Sequence, residues 1–477
     1  MRNLTLMTDF YELTMAQGYF KSDKMEKAVF DYFYRENPDD NGYVIFSGLE
    51  QVIDYAKNLE FNEDDLAYLQ KQGLDPEFLE YLSNFSFTGD IYAVPEGSVV
   101  FPKEPILKVE ATILQAQLLE SAILNIINHQ SLIATKAARI VKAAGERKVL
   151  EFGLRRAHGP DAGIYGARAA VIAGCTGTSN VLAGKEFDIN ISGTHAHSWV
   201  MSFDEEIEAF RTYAENFPDS CILLVDTYDT LESGVPNAIK VFEEMKEKGI
   251  NPDLYGIRLD SGDLAYLSKQ SRQMLDEAGF EDAVIVASSN LDEDIITSLD
   301  FQGAEIDVFG VGTKLITSKS DPALGGVYKL TQYRGEPKIK ISDNVDKITN
   351  PGSKKLLRVY DKKERKIIAD LIALEDENID EREDLILFDD RDTWKTKTLK
   401  GGNYQIRSML TPIFDNGNCV YESPSVKEIK EYCKQEKESL WAEYRRLTNP
   451  HIMKVDLSSK LYDLKQNLLH ENGIENA

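Results

Sequence analysis

The chain changes its hydrophobic rhythm several times. Up to about residue 80, apolar positions recur at helical spacing between polar loops, which predicts a mainly helical segment. Residues 85–112 break into short β-like runs separated by Pro-Glu-Gly and Pro-Lys-Glu-Pro turns. Over 115–145, Leu118, Leu119, Ile123, Ile126, Ile127 and Leu132 return to helical spacing, with Gly145 as the stop. From 148 to 316 the pattern alternates. Short apolar runs (KVLEFG, INISGTHAH, SCILLVDTYD, LYGIRLDSGD, AVIVASSN, IDVFGVGT) take turns with amphipathic stretches such as 204–217, 232–248 and 264–279. That alternation predicts parallel strands buried on both faces and joined by helices.

Each of these runs ends in small or polar residues: Gly153, Thr194 to His197, Asp226-Thr227, Asp260-Ser261, Ser288 to Asn290, and Gly310 to Thr313. A (β/α) barrel collects its active site at the C-terminal strand ends, whereas an open doubly wound sheet concentrates it near one switch point. Polar residues at nearly every end favour the barrel. Beyond 320, two strand–turn–strand patterns resemble 85–112 in texture. The expected fold is therefore α/β. An irregular (β/α) barrel occupies 136–325, and an N-terminal α+β domain occupies 1–135. A β-rich segment over 326–412 joins that domain in a smaller sheet, and a helical region closes the chain over 413–477. Ser425 to Glu428 forms a capping-box pattern, followed by Val426, Ile429, Cys433, Leu440 and Tyr444 on one face. Residues 375–392 hold ten acids and two arginines and read as a solvated surface segment.

Composition narrows the function. Lys and Arg number 54 against 80 Asp and Glu, a formal charge of −26, which argues against nonspecific nucleic-acid or anionic-membrane partners. Small anionic substrates stay open, because a few arginines and helix N-termini can hold them. The four cysteines, 175, 221, 419 and 433, form no CxxC and read as reduced thiols. Asp9 and Glu12 precede any long apolar run, and no stretch approaches the ~20 apolar residues of a membrane span. A cytoplasmic enzyme is the expectation.

Several strand ends carry candidate chemistry. His195 and His197, two apart, suit a metal pair, a structural pair, or a nucleophilic or acid/base histidine with Asp226 or Asp229 as partner. The metal reading needs more barrel histidines, and the later ones, His451 and His470, fall outside it. Arg258, Asp260, Ser261 and Asp263 crowd one loop, where arginine suits a carboxylate or phosphate and Asp260 suits sugar hydroxyls or Mg²⁺. Gly310 and Gly312 let backbone N–H groups approach a phosphate, although neither a P-loop nor GxGxxG is present. Phe152 suits stacking on a flat heterocycle. Arg155 and Arg156 follow it, one of them a candidate partner for Glu151 or Asp161. Tyr11 alone reads as an ordinary helix aromatic.

Together, TDFYELTMAQGY, FGLRRAHGPDAG, GTSNVLAG, GTHAHSWVMSF, VDTYDT, RLDSGDL and FGVGTKL resemble, in order, the nicotinate phosphoribosyltransferase family of the type II phosphoribosyltransferases. The resemblance covers most of 1–330 and is less specific beyond about 400. It implies that nicotinate and phosphoribosyl pyrophosphate give nicotinate mononucleotide and pyrophosphate, as in NAD salvage. It also implies ATP and Mg²⁺ as co-substrate and metal, with no organic prosthetic group, and ATP hydrolysis coupled through a phosphohistidine at His197. Phe152 and Tyr11 would sandwich the pyridine, with Tyr11 supplied by the other subunit of a homodimer. Arg258, with Arg155, would face the nicotinate carboxylate or the product phosphate. Asp260 would bind ribose hydroxyls or Mg²⁺, and Asp226 would orient His197 or the metal. Thr194 would join the substrate site, and Gly310, Gly312 and Thr313 would hold the 5′-phosphate. Nicotinamide-using relatives resemble the GTSNVLAG segment but carry Asp where this chain has Ser179, so nicotinate is the expected substrate. The competing readings are a metal-dependent hydrolase built on the His-x-His pair and a non-catalytic nucleotide-binding protein.

Overall fold

The computed structural model describes residues 3–344, 347–389 and 396–473. Contacts divide the chain into two units, 1–132 with 323–477, and 133–322.

The first unit holds a seven-stranded antiparallel sheet. Its strands run in the order Glu336–Pro337, Gly326–Tyr333, Lys27–Tyr34, Leu107–Thr112, Asp90–Ala93, Thr411–Asp415 and Asn418–Cys419. Helices Phe10–Lys21, Leu49–Lys57, Glu63–Lys71 and Pro76–Ser83 accompany it. The strand Lys27–Tyr34 corrects the expectation of a mainly helical 1–80. Its residues Ala28 to Tyr32 are buried without a break, because a central strand is covered on both faces and loses its alternation. A short run without alternation, here apolar but for Asp31, does not distinguish helix from strand. Phe30 stacks on Tyr328 across this pairing, with ring centroids 4.9 Å apart. Leu118, Leu119, Ile123, Ile126 and Ile127 join the same core.

A second sheet in this unit has six strands, in the order Thr396–Leu399, Leu385–Phe388, Val455–Leu457, Ile367–Leu374, Lys354–Asp361 and Tyr404–Ser408. Arg358 is fully buried against it. Its guanidinium donates to Asp370 Oδ2 at 2.6 Å, to Glu436 Oε2 at 2.8 Å and to the Val99 carbonyl at 2.8 Å. Glu436 also accepts from Arg407 at 2.7 Å. This carboxylate fastens the helix Val426–Ser439, whose expected capping box of Ser425 and Glu428 is formed. Val426, Ile429 and Cys433 are buried on that helix, Leu440 caps its end, and Tyr444 lies beyond it in the turn Ala442–Arg445. The acidic stretch is not wholly a solvated surface. Leu385 and Leu387 are buried in a strand, and residues 390–392 lie outside the described residues.

The second unit is built on a six-stranded parallel sheet. The first to sixth strands in the chain are Lys148–Glu151, Gly177–Thr178, Ser220–Leu224, Leu254–Leu259, Val284–Ser289 and Val308–Val311. Their spatial order is second, first, sixth, fifth, fourth, third. The alternation predicted parallel strands, and every pairing in this sheet is parallel. The ladder is a half-barrel with two edges, Gly177–Thr178 and Ser220–Leu224. The run INISGTHAH, expected to be a strand, supplies only a bridge from Ile191 to Thr178. Gly193 and its polar neighbours give it little to pack on a pleated surface. Helices Glu206–Asn216, Val235–Glu247 and Leu264–Glu277 match the amphipathic stretches. Among the described residues, no helix is long and apolar enough to cross a membrane.

The Arg358 cluster generates the first prediction. Arg358→Met leaves two buried carboxylates without their shared cation, so the unfolding free energy falls by about 3–5 kcal/mol. Urea denaturation measures this, and a loss below about 1 kcal/mol contradicts the reading.

Candidate active site

The C-terminal ends of the six parallel strands carry most of the predicted residues. After the first strand, the Phe152 N–H donates to the Val311 carbonyl at 2.8 Å and prolongs the pairing with the sixth strand. The half-buried Phe152 ring lies against Gly310, where a Cβ would fall 2.6 Å from two ring carbons. A Cβ at Gly312 would stand 3.1 Å from the Phe152 carbonyl oxygen. Gly310 therefore has a packing reason to be glycine, separate from phosphate binding. Thr313 opens a helix of four residues, Thr313–Ile316.

Glu151, at the end of the first strand, points inward. Its carboxylate accepts from the Gly153 N–H and, at 2.6 Å, from Thr178 Oγ1. Burial raises its pKa against the effect of those two bonds. It is thus no partner for Arg155 or Arg156, which are exposed on the turn Leu154–Arg156. The Ser179 N–H donates to the Glu151 carbonyl at 2.9 Å, which ties the two strand ends together. Asn180 then caps the helix Val181–Phe187, so Ser179 sits half-buried in the short joint between strand and helix.

The third, fourth and fifth strand ends meet in a charged cluster. Asp226 Oδ2 accepts from the Asp260 N–H at 2.8 Å and from Ser261 Oγ at 2.7 Å. Its other oxygen, Oδ1, is buried with no partner among the described residues. Asp260 Oδ1 accepts from Ser288 Oγ. The Arg258 guanidinium reaches Ser288 Oγ at 3.2 Å, Asp260 Oδ1 at 3.5 Å and the His195 carbonyl at 2.7 Å. Burial lowers the Arg258 pKa; Asp260 and Asp226 oppose the shift, and Arg155 adds to it. His197 opens the helix His197–Met201, with Nδ1 3.1 Å from Thr227 Oγ1 and Nε2 3.9 Å from Asp260 Oδ2. Thr194 Oγ1 donates to the His195 carbonyl at 3.3 Å.

Other candidates go elsewhere. His195 is buried with Nε2 accepting from the Leu224 N–H, so the two histidines do not converge on one metal. Among the described residues, no group of three His, Cys, Asp or Glu side chains could hold a metal ion. Asp229 and Asp263 accept from backbone N–H groups as caps of the elements that follow them. Tyr11 belongs to the first unit, on the helix Phe10–Lys21, and is 45% exposed. Burial and the nearby Glu120 raise its pKa. Sequence reasoning missed Thr227 as the partner of His197 and Ser288 as the link between Arg258 and Asp260. Both stand at polar strand ends, which was their one sequence signal.

Asp226 Oδ1, buried and without a partner among the described residues, and the Asp260 carboxylate at the end of the next strand are oxygen donors of the kind that fit a hard divalent cation such as Mg²⁺, which keeps several waters.

Three family descriptions match the chain. They are the nicotinate phosphoribosyltransferase N-terminal domain over 6–128, the nicotinate phosphoribosyltransferase family over 147–364 and its C-terminal domain over 353–465. A nicotinate phosphoribosyltransferase of Bacillus subtilis (strain 168) is 48% identical, across 98% of this chain and 96% of that protein. One of Caenorhabditis elegans is 37% identical, across 99% of this chain and 94% of that protein. The crystal structure of human nicotinic acid phosphoribosyltransferase superposes with a TM-score of 0.86 at 29% identity, covering 97% of this chain and 99% of that one. The chain belongs to the nicotinate phosphoribosyltransferase family.

Proposed function

We propose that the chain joins nicotinate to phosphoribosyl pyrophosphate in NAD salvage, releasing pyrophosphate, and couples ATP hydrolysis to this through a phosphohistidine at His197. The observation that carries this reading is the His197 ring. Thr227 holds its Nδ1 while Nε2 stands 3.9 Å from Asp260 Oδ2.

With Nδ1–H donating to Thr227, Nε2 keeps the lone pair. It attacks the γ-phosphorus of ATP, and the bond to the ADP oxygen breaks. The Asp260 carboxylate stabilises the positive charge that the ring takes on. Asp226 and Asp260 would hold Mg²⁺, which supplies charge neutralisation for the pyrophosphate groups when bound. In the transfer step, Phe152 stacks on the pyridine, and Tyr11 of a second copy covers its other face. The half-exposed position of Tyr11 supports that pairing. Arg258 faces the substrate carboxylate or the product phosphate, with the exposed Arg155 nearby. Thr194 lies next to this cluster. Gly310, Gly312 and Thr313 offer the backbone approach that a 5′-phosphate needs. Displacement at the sugar C1 builds positive charge on the ribose, as in glycoside chemistry, and positioned carboxylates stabilise it.

Three outcomes test this reading. Wild-type protein with nicotinate, phosphoribosyl pyrophosphate and Mg²⁺ forms the mononucleotide faster with ATP, and His197→Ala loses the ATP effect. No mononucleotide from wild type under either condition removes the transferase reading, and an ATP effect that survives in the variant moves the phosphoryl acceptor elsewhere. Ser179→Asp sets a carboxylate against the substrate carboxylate and lowers kcat/KM for nicotinate by about tenfold or more; unchanged nicotinate kinetics contradict the role of Ser179. Gly310→Ala displaces the Phe152 ring and raises the nicotinate KM by about tenfold, the scale of one aromatic stack, which initial-rate kinetics will detect.

A further inference from the structure

The parallel sheet ends at two edges, and one segment of chain touches both. At the Gly177–Thr178 edge, the Thr178 N–H donates to the Asn190 carbonyl at 3.0 Å, and the Ser192 N–H donates to the Thr178 carbonyl at 2.9 Å. The approach is close: a Cβ on Gly177 would lie 2.7 Å from the Asn190 oxygen. At the Ser220–Leu224 edge, no backbone neighbour of this kind is found among the described residues. There the Leu224 N–H donates to His195 Nε2 at 3.1 Å, a side chain standing where a strand carbonyl would be. The ring is 8% exposed, edge-on to Tyr213 at 4.8 Å and tilted against Phe210 at 6.0 Å, both on helix Glu206–Asn216. The His195 carbonyl accepts from Arg258 at 2.7 Å, and the ring of His197 follows two residues later.

We propose that His195 is a positioning residue whose neutral imidazole pins the 190–197 segment to the open sheet edge and thereby sets the His197 ring for phosphorylation. The inference rests on the phosphohistidine reading of His197. Nε2 accepts, so the proton sits on Nδ1, and the neutral form is the one the site requires. Burial agrees, pushing the imidazole down to about 4, with Arg258 and His197 adding to the shift. Replacing the acceptor with carbon leaves a buried N–H unsatisfied on the strand that leads to Asp226 and Thr227. The segment then loses its hold at one edge while keeping it at the other. The His197 ring drifts from Thr227, and sub-ångström placement of an attacking nitrogen is what governs its rate.

The test compares wild type with His195→Phe, which keeps an aromatic ring, and His195→Gln, whose side-chain oxygen reaches a similar acceptor position. The readout is the ratio of turnover with ATP to turnover without it, together with incorporation of labelled γ-phosphate. A merely destabilising change scales both turnovers by the folded fraction and leaves the ratio unmoved. The expected result is a fall of about tenfold in phosphate incorporation and a collapse of the ratio in His195→Phe, with recovery to within about threefold in His195→Gln. Amide exchange at Leu224 accelerates in the Phe variant and slows again in the Gln variant. If His195→Phe fails to fold, wild-type behaviour in His195→Ala overturns the proposal, and a loss restored only by Gln supports it. A wild-type ratio in His195→Phe overturns it while leaving the phosphohistidine intact. No labelled phosphate on wild type overturns the phosphohistidine and this inference together.

Discussion

A parallel sheet with two edges leaves backbone groups along each that need partners, and in this chain one irregular segment reaches both edges. Residues 190–192 pair with Thr178 through backbone groups, and His195 serves Leu224 through its ring. A regular strand at this position would pair completely and aim its side chains at fixed faces. The irregular segment pairs at few positions, and His197 turns toward Thr227 and Asp260 at the strand ends. The same eight residues thus reach both edges of the half-barrel and mount the histidine proposed above as the phosphoryl acceptor.

The rest of the site depends on the same economy of strand ends. Asp226 binds the Asp260 N–H and Ser261, so one carboxylate both fixes the neighbouring loop and keeps an oxygen open. Ser288, on the fifth strand, joins Arg258 to Asp260 at the end of the fourth. Glu151 ties the Phe152 turn to Ser179 from below, through the Gly153 N–H, Thr178 and its own carbonyl. Most of these contacts join residues about 27 to 35 positions apart, one strand–helix unit along the chain. They need parallel strands in register, so that each polar terminus reaches its neighbour.

That dependence explains what the sequence made legible. Strands such as SCILLVDTYD and IDVFGVGT are continuous apolar runs with polar ends, and each became a parallel strand with its polar residues at one end of the sheet. After its first residue, Lys27–Tyr34 is apolar but for Asp31 and lies among helices, and burial on both faces hid its period. His195 and His197 look equivalent in the sequence; only register against Leu224 and Thr227 separates the buried ring from the exposed one. Gly310 was read for phosphate approach, while the ring of Phe152, distant in sequence, supplies a steric reason that no local pattern contains. The caps at Asp229 and Asp263 were locally encoded by Asp before a helical start, and the same acids drew attention as catalytic candidates.

In the proposed reaction, the segment spanning the open sheet carries the phosphoryl acceptor. Mass spectrometry of the intact wild-type protein after exposure to ATP and Mg²⁺, under alkaline conditions that preserve phosphohistidine, tests it most directly. The expected result is one acid-labile phosphate per chain, located at His197. A phosphate at any other residue, or none at all, contradicts this role for His197.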